Sequence, residues 1–237
     1  MGNRESGKMR PKIFHYILGI VASIALILIM LITSVEIAAY SDYGWYEKEY
    51  LKYEVLDDLE MQIEDVMYVT EEMMAYLRGN RENLVVDTVV AGEEREFFND
   101  REKAHMIDVQ NLFLGGINLR RIAMTIFVAV LVILTFSKAD WKRILPKSFL
   151  VSVFGFIAAL GILGVLIATD FNKYFTIFHE IFFDNDLWIL DPRTCLLIRM
   201  LPEGFFFDMA IRISVIFIIF LVILFFINGA ILRKQKR

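Results

Sequence analysis

Four stretches of this chain are apolar for long enough to cross a bilayer, and most of its charges lie between them. They cover residues 13–39, 116–137, 149–169 and 209–229. An α-helix needs about 20 residues to span a hydrocarbon core of roughly 30 Å. The second stretch is the least uniform, because its uninterrupted apolar run, Ile122–Phe136, is only 15 residues long. That span has to begin earlier, with Arg120 and Arg121 at one interface and their stems reaching toward water. Apolar residues make up 57% of the 237, more than a soluble domain of this size has core to bury. The reading is an all-α polytopic membrane protein with four transmembrane helices.

Charge sets the orientation. Arg4, Lys8, Arg10 and Lys12 lie in the N-terminal segment, residues 1–12. Lys138, Lys142, Arg143 and Lys147 lie in the connection 138–148, and Arg233, Lys234, Lys236 and Arg237 in the tail 230–237. In a four-span chain these three segments share one side, which the positive-inside rule makes cytoplasmic. Both ends are therefore inside. The first apolar stretch is too long for a removable leader, and Glu36-Ile37-Ala38-Ala39-Tyr40 is a poor cleavage site.

Two segments then face outward, 40–115 and 170–208. Residues 40–118 hold 19 acidic and 7 Lys or Arg residues, and 170–208 hold 7 and 3. Such acidity excludes nucleic acid as a partner. Cys195 is the only cysteine, so an internal disulfide or multi-thiolate metal site is excluded. There is no Cys pair, glycine-rich phosphate loop or His-Glu-x-x-His motif, so no nucleotide and no redox dithiol are called for.

Within the first outer segment, residues 47–77 read as one amphipathic helix. Leu56, Leu59, Ile63, Val66, Met67, Met73, Met74 and Leu77 form the apolar stripe, and Gly79-Asn80 ends it. Residues 84–98 read as a short hairpin or compact loop around Ala91-Gly92. The outer domain is thus mainly helical. A further helix starts near Asn99 or Asp100 and runs into the second span. It carries Glu102, His105 and Asp108 three residues apart. A carboxylate beside an imidazole can select its tautomer and support its charged form, as a general base requires. An ion-paired surface histidine fits the same spacing. The second outer segment places His179 among aromatic residues at headgroup level, where a satisfied structural histidine is the alternative. His105 and His179 with Glu102, Asp108, Asp184 and Asp186 can assemble one site.

The residues Phe97-Phe98-x-x-Arg101-Glu102-x-x-His105-Met106-x-Asp108-Val109 carry a resemblance. So do Phe178-His179-x-x-Phe182-Phe183-x-Asn185-Asp186-x-Trp188, Leu190-Asp191-Pro192 and Pro202-Glu203-x-Phe205-Phe206-x-Asp208. Over nearly its whole length the chain resembles the bacterial four-span membrane protein family that includes the lipoprotein intramolecular transacylases. The resemblance implies a cofactor-independent enzyme of the bacterial cell membrane with its active site outside. Its substrate would be a lipoprotein whose N-terminal cysteine carries a diacylglyceryl group. The sn-2 acyl chain would move to the cysteine α-amine, giving an N-acyl, S-monoacylglyceryl product. On this reading His105 is the base, with Asp108 or Glu102 orienting it, and His179 stabilises the oxyanion or protonates the departing glycerol oxygen. Arg101, Asp186, Trp188, Arg120, Arg121 and Glu203 would contact substrate, although Arg120 and Arg121 also suit simple interfacial anchoring.

Two other classes fit the residues. A non-enzymatic accessory or sensor protein would bind partners through the acidic outer domain and leave the two histidines apart or solvent-facing. A metal or haem protein would use both histidines as ligands. Thr176, Thr194, Ser41 and Cys195 are candidates for a covalent intermediate, but none has a base at a fixed spacing.

Overall fold

A computed structural model of the chain describes residues 6–235. Arg4, Lys236 and Arg237 of the basic segments lie outside the described residues, as do the side chains of Lys8, Arg10 and Lys12. The elements in chain order are α1 (Ser6–Tyr40), α2 (Gly44–Lys52), α3 (Val55–Leu59), α4 (Ile63–Leu77), β1 (Asp87–Val90), β2 (Glu93–Glu96), α5 (Asp100–Phe136), α6 (Trp141–Thr169), α7 (Phe171–Phe182), α8 (Leu196–Met200) and α9 (Glu203–Lys234). Among the described residues, α1, α5, α6 and α9 are long and apolar enough to cross a membrane. The architecture is the expected four-span, mainly helical one.

The helices outrun their apolar stretches. α6 begins at Trp141, so most of the connection 138–148 is helical. α9 begins at Glu203 rather than near 209, and α5 runs unbroken from Asp100. Hydropathy marks the part of a helix that suits lipid, whereas the backbone bonding that makes the helix continues in water.

The chain divides into two compact units. One comprises residues 1–34, 118–165 and 214–237. There Ile27 and Met30 of α1, Phe149 and Val153 of α6, and Phe217 and Leu221 of α9 form a buried cluster. Ala22, Val130 and Leu134 form a second one between α1 and α5. A side chain at Gly19 would overlap Ser148 and Ile144, so glycine lets α1 and α6 approach closely. Hydroxyls inside these helices return to the carbonyl four residues back: Ser23 to Gly19 at 2.7 Å, Ser34 to Met30 at 2.8 Å and Thr135 to Leu131 at 2.8 Å. That satisfies them where no water is present. Outward positions such as Val151, Ile162 and Phe226 are exposed and apolar, as lipid-facing residues must be.

The other unit comprises residues 35–117 and 166–213. Its core gathers Tyr46, Tyr50, Val55, Leu59, Val66, Met73, Phe97, Phe98, Met200 and Phe205. The single helix expected over 47–77 is instead three, α2, α3 and α4. Glu54 and Glu60 adopt left-handed backbone, with φ of 55° and 53°, and interrupt it twice. The apolar stripe survives the bends because Leu59, Met61, Val66, Met73 and Leu77 all bury in one core. Periodicity reports which side chains bury and is blind to a turn that keeps them inside. α4 does end at Gly79, whose φ is +80°. The Gly79 amide bonds the Tyr76 carbonyl at 2.9 Å and the Asn80 amide bonds Ala75 at 2.9 Å, a Schellman stop. The hairpin forms with Val90 opposite Glu93. Its two-residue turn, Ala91-Gly92, has positive φ at both positions, the geometry that matches the twist of paired strands.

Gly204 sits under the Tyr53 ring, and a Cβ there would overlap three ring and hydroxyl atoms. Tyr53 is itself held by its hydroxyl on Asp208. Gly204→Ala should therefore destabilise the protein by about 1–3 kcal/mol. Thermal unfolding in detergent checks this, and a Gly204→Ala/Tyr53→Ala double variant should recover the overlap part of the loss.

Candidate active site

The site is built on the first turns of α5. The Asn99 side-chain oxygen accepts the Glu102 amide at 3.0 Å, and the Glu102 carboxylate accepts the Asn99 amide at 2.7 Å. This reciprocal capping box starts the helix. The other Glu102 oxygen accepts the Leu197 amide of α8 at 2.7 Å. Asn99 also donates to the Thr194 carbonyl at 3.1 Å. Glu102 is completely buried, and backbone donors replace the water it has lost. Both of its oxygens are engaged by backbone, and its duty is to tie α5 to the segment before α8. Cys195, buried beside Asn99, belongs to the same junction.

Helix geometry separates the three residues expected on one face. Positions 102 and 108 lie about 120° apart around the axis, whereas 101 and 108 lie about 20° apart. Arg101, His105 and Asp108 share one face of α5. The Arg101 guanidinium donates to the Asp186 carbonyl and lies 3.4 Å from the Asp186 carboxylate. Asp108 accepts from the Asn185 side chain at 2.9 Å. These contacts hold the segment after α7 against α5. Asn185 is its knot. Its side-chain oxygen accepts the Leu187 amide at 3.0 Å, and its carbonyl accepts the Trp188 indole N–H at 2.9 Å.

His105 and His179 meet in this frame. Their ring centroids are 6.1 Å apart with planes inclined at 35°. Both are 7% exposed, which discards the solvent-facing arrangement that a sensor reading requires. Phe183 stands edge-on to His105 at 5.3 Å. His179 lies between Phe175 at 4.3 Å, Trp188 at 4.9 Å and Phe178 at 5.4 Å. Its Nδ1 is 2.7 Å from the Phe175 carbonyl. A carbonyl only accepts, so Nδ1 carries the proton and the neutral ring presents a bare Nε2 lone pair. Burial lowers the His179 pKa below 6.5, partly offset by that carbonyl. His105 Nδ1 is buried and has no hydrogen-bond partner among the described residues.

The other expected contacts lie elsewhere. Glu203 accepts from Asn172 at 3.4 Å, where α9 and α7 begin. Arg120 and Arg121 belong to the four-helix unit. There Arg120 approaches the Thr33 hydroxyl at 3.5 Å and Arg121 bonds Asn118 at 3.1 Å. Asp184 is exposed. Among the described residues, no group of three His, Cys, Asp or Glu side chains is placed to hold a metal ion. Sequence reasoning passed over Asn185 and the Phe175 carbonyl. The carbonyl had a signal, since it lies one helical turn before His179. Asn185 stood in the motif without any mark of its role.

The family model of the lipoprotein intramolecular transacylase Lit matches residues 20–206. The chain belongs to the Lit family. No curated protein sequence matches it significantly. Among solved structures, it is similar to the lipoprotein intramolecular transacylase Lit of Bacillus cereus, with a TM-score of 0.77 and 19% identity, covering 94% of this chain and 98% of that one. Two variants of the B. cereus protein, with a histidine replaced by arginine or by alanine, match with TM-scores of 0.74 and 0.73 at 17% identity. They cover 98% and 97% of this chain and 97% and 99% of theirs. At these identities the likeness is one of fold.

Glu102→Ala leaves the Leu197 and Asn99 amides buried without their acceptor. It should cost about 2–4 kcal/mol, read as a lower unfolding temperature, while the isosteric Glu102→Gln should lose less because its carbonyl oxygen can still accept one amide.

Proposed function

We infer that this Lit-family protein is an intramolecular acyltransferase of the bacterial cell membrane, acting on diacylglyceryl lipoproteins at the outer face. The substrate's N-terminal cysteine α-amine attacks the sn-2 ester carbonyl of its own diacylglyceryl group. A C–N bond forms, the ester C–O bond breaks, and the amine proton ends on the glycerol oxygen. The product is an N-acyl, S-monoacylglyceryl lipoprotein, and no cofactor is consumed. The observation that carries the reading is the meeting of two buried imidazoles inside an aromatic enclosure.

The chemistry needs a base for the amine and a proton for the leaving oxygen. The tautomer argument favours His179 as the base, in place of the His105 assignment drawn from the sequence. Its Nδ1 is committed to the Phe175 carbonyl, which leaves Nε2 ready to take a proton. His105 then supports the developing oxyanion or returns the proton to glycerol. Two imidazolium ions this close would repel, so the pair suits the shuttling of one proton. Burial and the neighbouring His179 push the His105 pKa down to about 4, and the Asp108 carboxylate, one turn beyond, offsets part of that and eases a transient imidazolium there. Asn185 and Arg101 act by holding Trp188 and the strap in place. Much of the rate comes from proximity, since amine and ester belong to one bound molecule.

Mass spectrometry of N-terminal lipopeptides tests the reading in a bacterial host that accumulates diacylglyceryl lipoproteins. One acyl chain should migrate from glycerol to the amine with this protein, and the migration should fall at least 100-fold with His105→Ala or His179→Ala at equal membrane abundance (about the value of one acid–base group). Unmigrated chains with abundant, folded protein would overturn it and return the outer domain to the binding-module reading.

The pH dependence has a definite sign. A base works only while unprotonated, and burial keeps His179 unprotonated to lower pH than a free imidazole. Once ionisation of the substrate α-amine at about 8 is divided out, the enzyme's own acid limb of kcat/KM should therefore have its midpoint below 6.5, with activity retained above it and lost as pH falls through it.

A further inference from the structure

We propose that the four-helix unit carries a second lipid site, a cleft on its cytoplasmic half that holds an acyl chain of an anionic inner-leaflet phospholipid with the phosphate on Lys142. The cleft has a volume of about 170 Å³, and every residue lining it belongs to this unit. All four membrane helices contribute, through Ser23 of α1, Phe127 of α5, Phe149 of α6 and Leu224 of α9. Its lining runs from Trp141 to Phe149 on α6, about 12 Å at the rise of an α-helix. None of the residues placed at the histidine site takes part.

The chemistry of the lining selects the occupant. Phe149 and Pro146 are buried and form the floor, while Trp141, Lys142 and Ile227 are exposed at the rim. Two of the polar lining residues are turned away onto their own helices: Ser23 donates to the Gly19 carbonyl at 2.7 Å and Asn228 to the Leu224 carbonyl at 2.8 Å. Water inside would therefore find few partners, and an alkyl chain suits the space. The one charge at the mouth is positive. The Lys142 ammonium lies 5.6 Å from the centre of the Trp141 ring, and no carboxylate pairs with it among the described residues. An indole beside a lysine at the cytoplasmic end of a span is placed at headgroup depth.

Charge then decides which lipid. Lys138, Arg143 and Lys147 share the connection with Lys142, Arg233 and Lys234 end α9, and Asp140 is the one acidic residue among residues 137–148. A basic mouth between helices on the cytoplasmic side attracts a net negative headgroup. A zwitterionic lipid offers the same phosphate together with a cation that this surface repels. The structure thus assigns the cleft to an anionic glycerophospholipid.

Native mass spectrometry of the full chain, released from detergent with phosphatidylglycerol and phosphatidylcholine supplied in equal amounts, tests the site. Wild-type protein should retain phosphatidylglycerol in preference. Lys142→Gln should lower that preference about fivefold, the effect of one lysine at an anionic surface, and Lys142→Arg should restore it. Lys147→Gln, an exposed charge outside the cleft, should lower it less than Lys142→Gln does. Leu145→Trp, which fills the cleft and keeps Lys142, should lower retention of both lipids. Equal retention of the two lipids by wild-type protein would overturn the proposal. So would a loss with Lys147→Gln as large as that with Lys142→Gln, which would mean diffuse attraction without a site.

Discussion

A backbone amide without a partner in hydrocarbon costs several kcal/mol, and this one penalty organises the whole protein. It requires the membrane-crossing parts to be unbroken helices, and α1, α5, α6 and α9 are. It sends the hydroxyls of Ser23, Ser34 and Thr135 back to their own helix carbonyls. It also keeps irregular backbone out of the membrane-crossing stretches, with left-handed Lys138 in the connection between α5 and α6 and the rest in the outer segments. The left-handed turns at Glu54 and Glu60, the hairpin and the segment after α7 are all found there.

That division of labour explains how the site is held. His105 projects from the first turns of α5, His179 from the last turn of α7 and Trp188 from the segment after it, and these need anchors that water does not loosen. Glu102 provides one by bonding two backbone amides from different parts of the chain while fully buried. Asn185 provides another by joining Asp108 to the turn that lays Trp188 on His179. A buried carboxylate surrounded by backbone donors is expensive to disturb. His105, less than one turn beyond Glu102, inherits that rigidity.

The electrostatics are graded to match the chemistry. The surface of the outer domain is strongly acidic, yet the histidine pair is enclosed by Phe175, Phe178, Phe183 and Trp188. A mainly aromatic enclosure suits a reaction whose reactants and products are neutral amine, ester, amide and alcohol. On the proposed mechanism the proton moves within the pair, and the barrier falls mainly because the substrate's two reacting ends are held together.

The number of spans, their orientation, the outer domain and both histidines were legible in the chain itself. Hydropathy, basic clusters and local spacing report the solvent each segment prefers, and that preference is a local property. The helix start near Asn99 and the stop at Gly79 were legible for the same reason, since their partners lie within a few residues, whereas the part of Glu102 in that cap emerged only from the structure. Tertiary structure alone decided the rest. Periodicity over 47–77 concealed two turns because the bent chain buries the same stripe in the same core. Spacing placed Glu102 beside His105, whereas its second oxygen turns to Leu197, a partner 95 residues away. The roles of the two imidazoles also depended on distance in space, because only packing reveals that His105 and His179 meet. Sequence determined which residues enter lipid and which remain in water, and packing decided which distant polar groups meet.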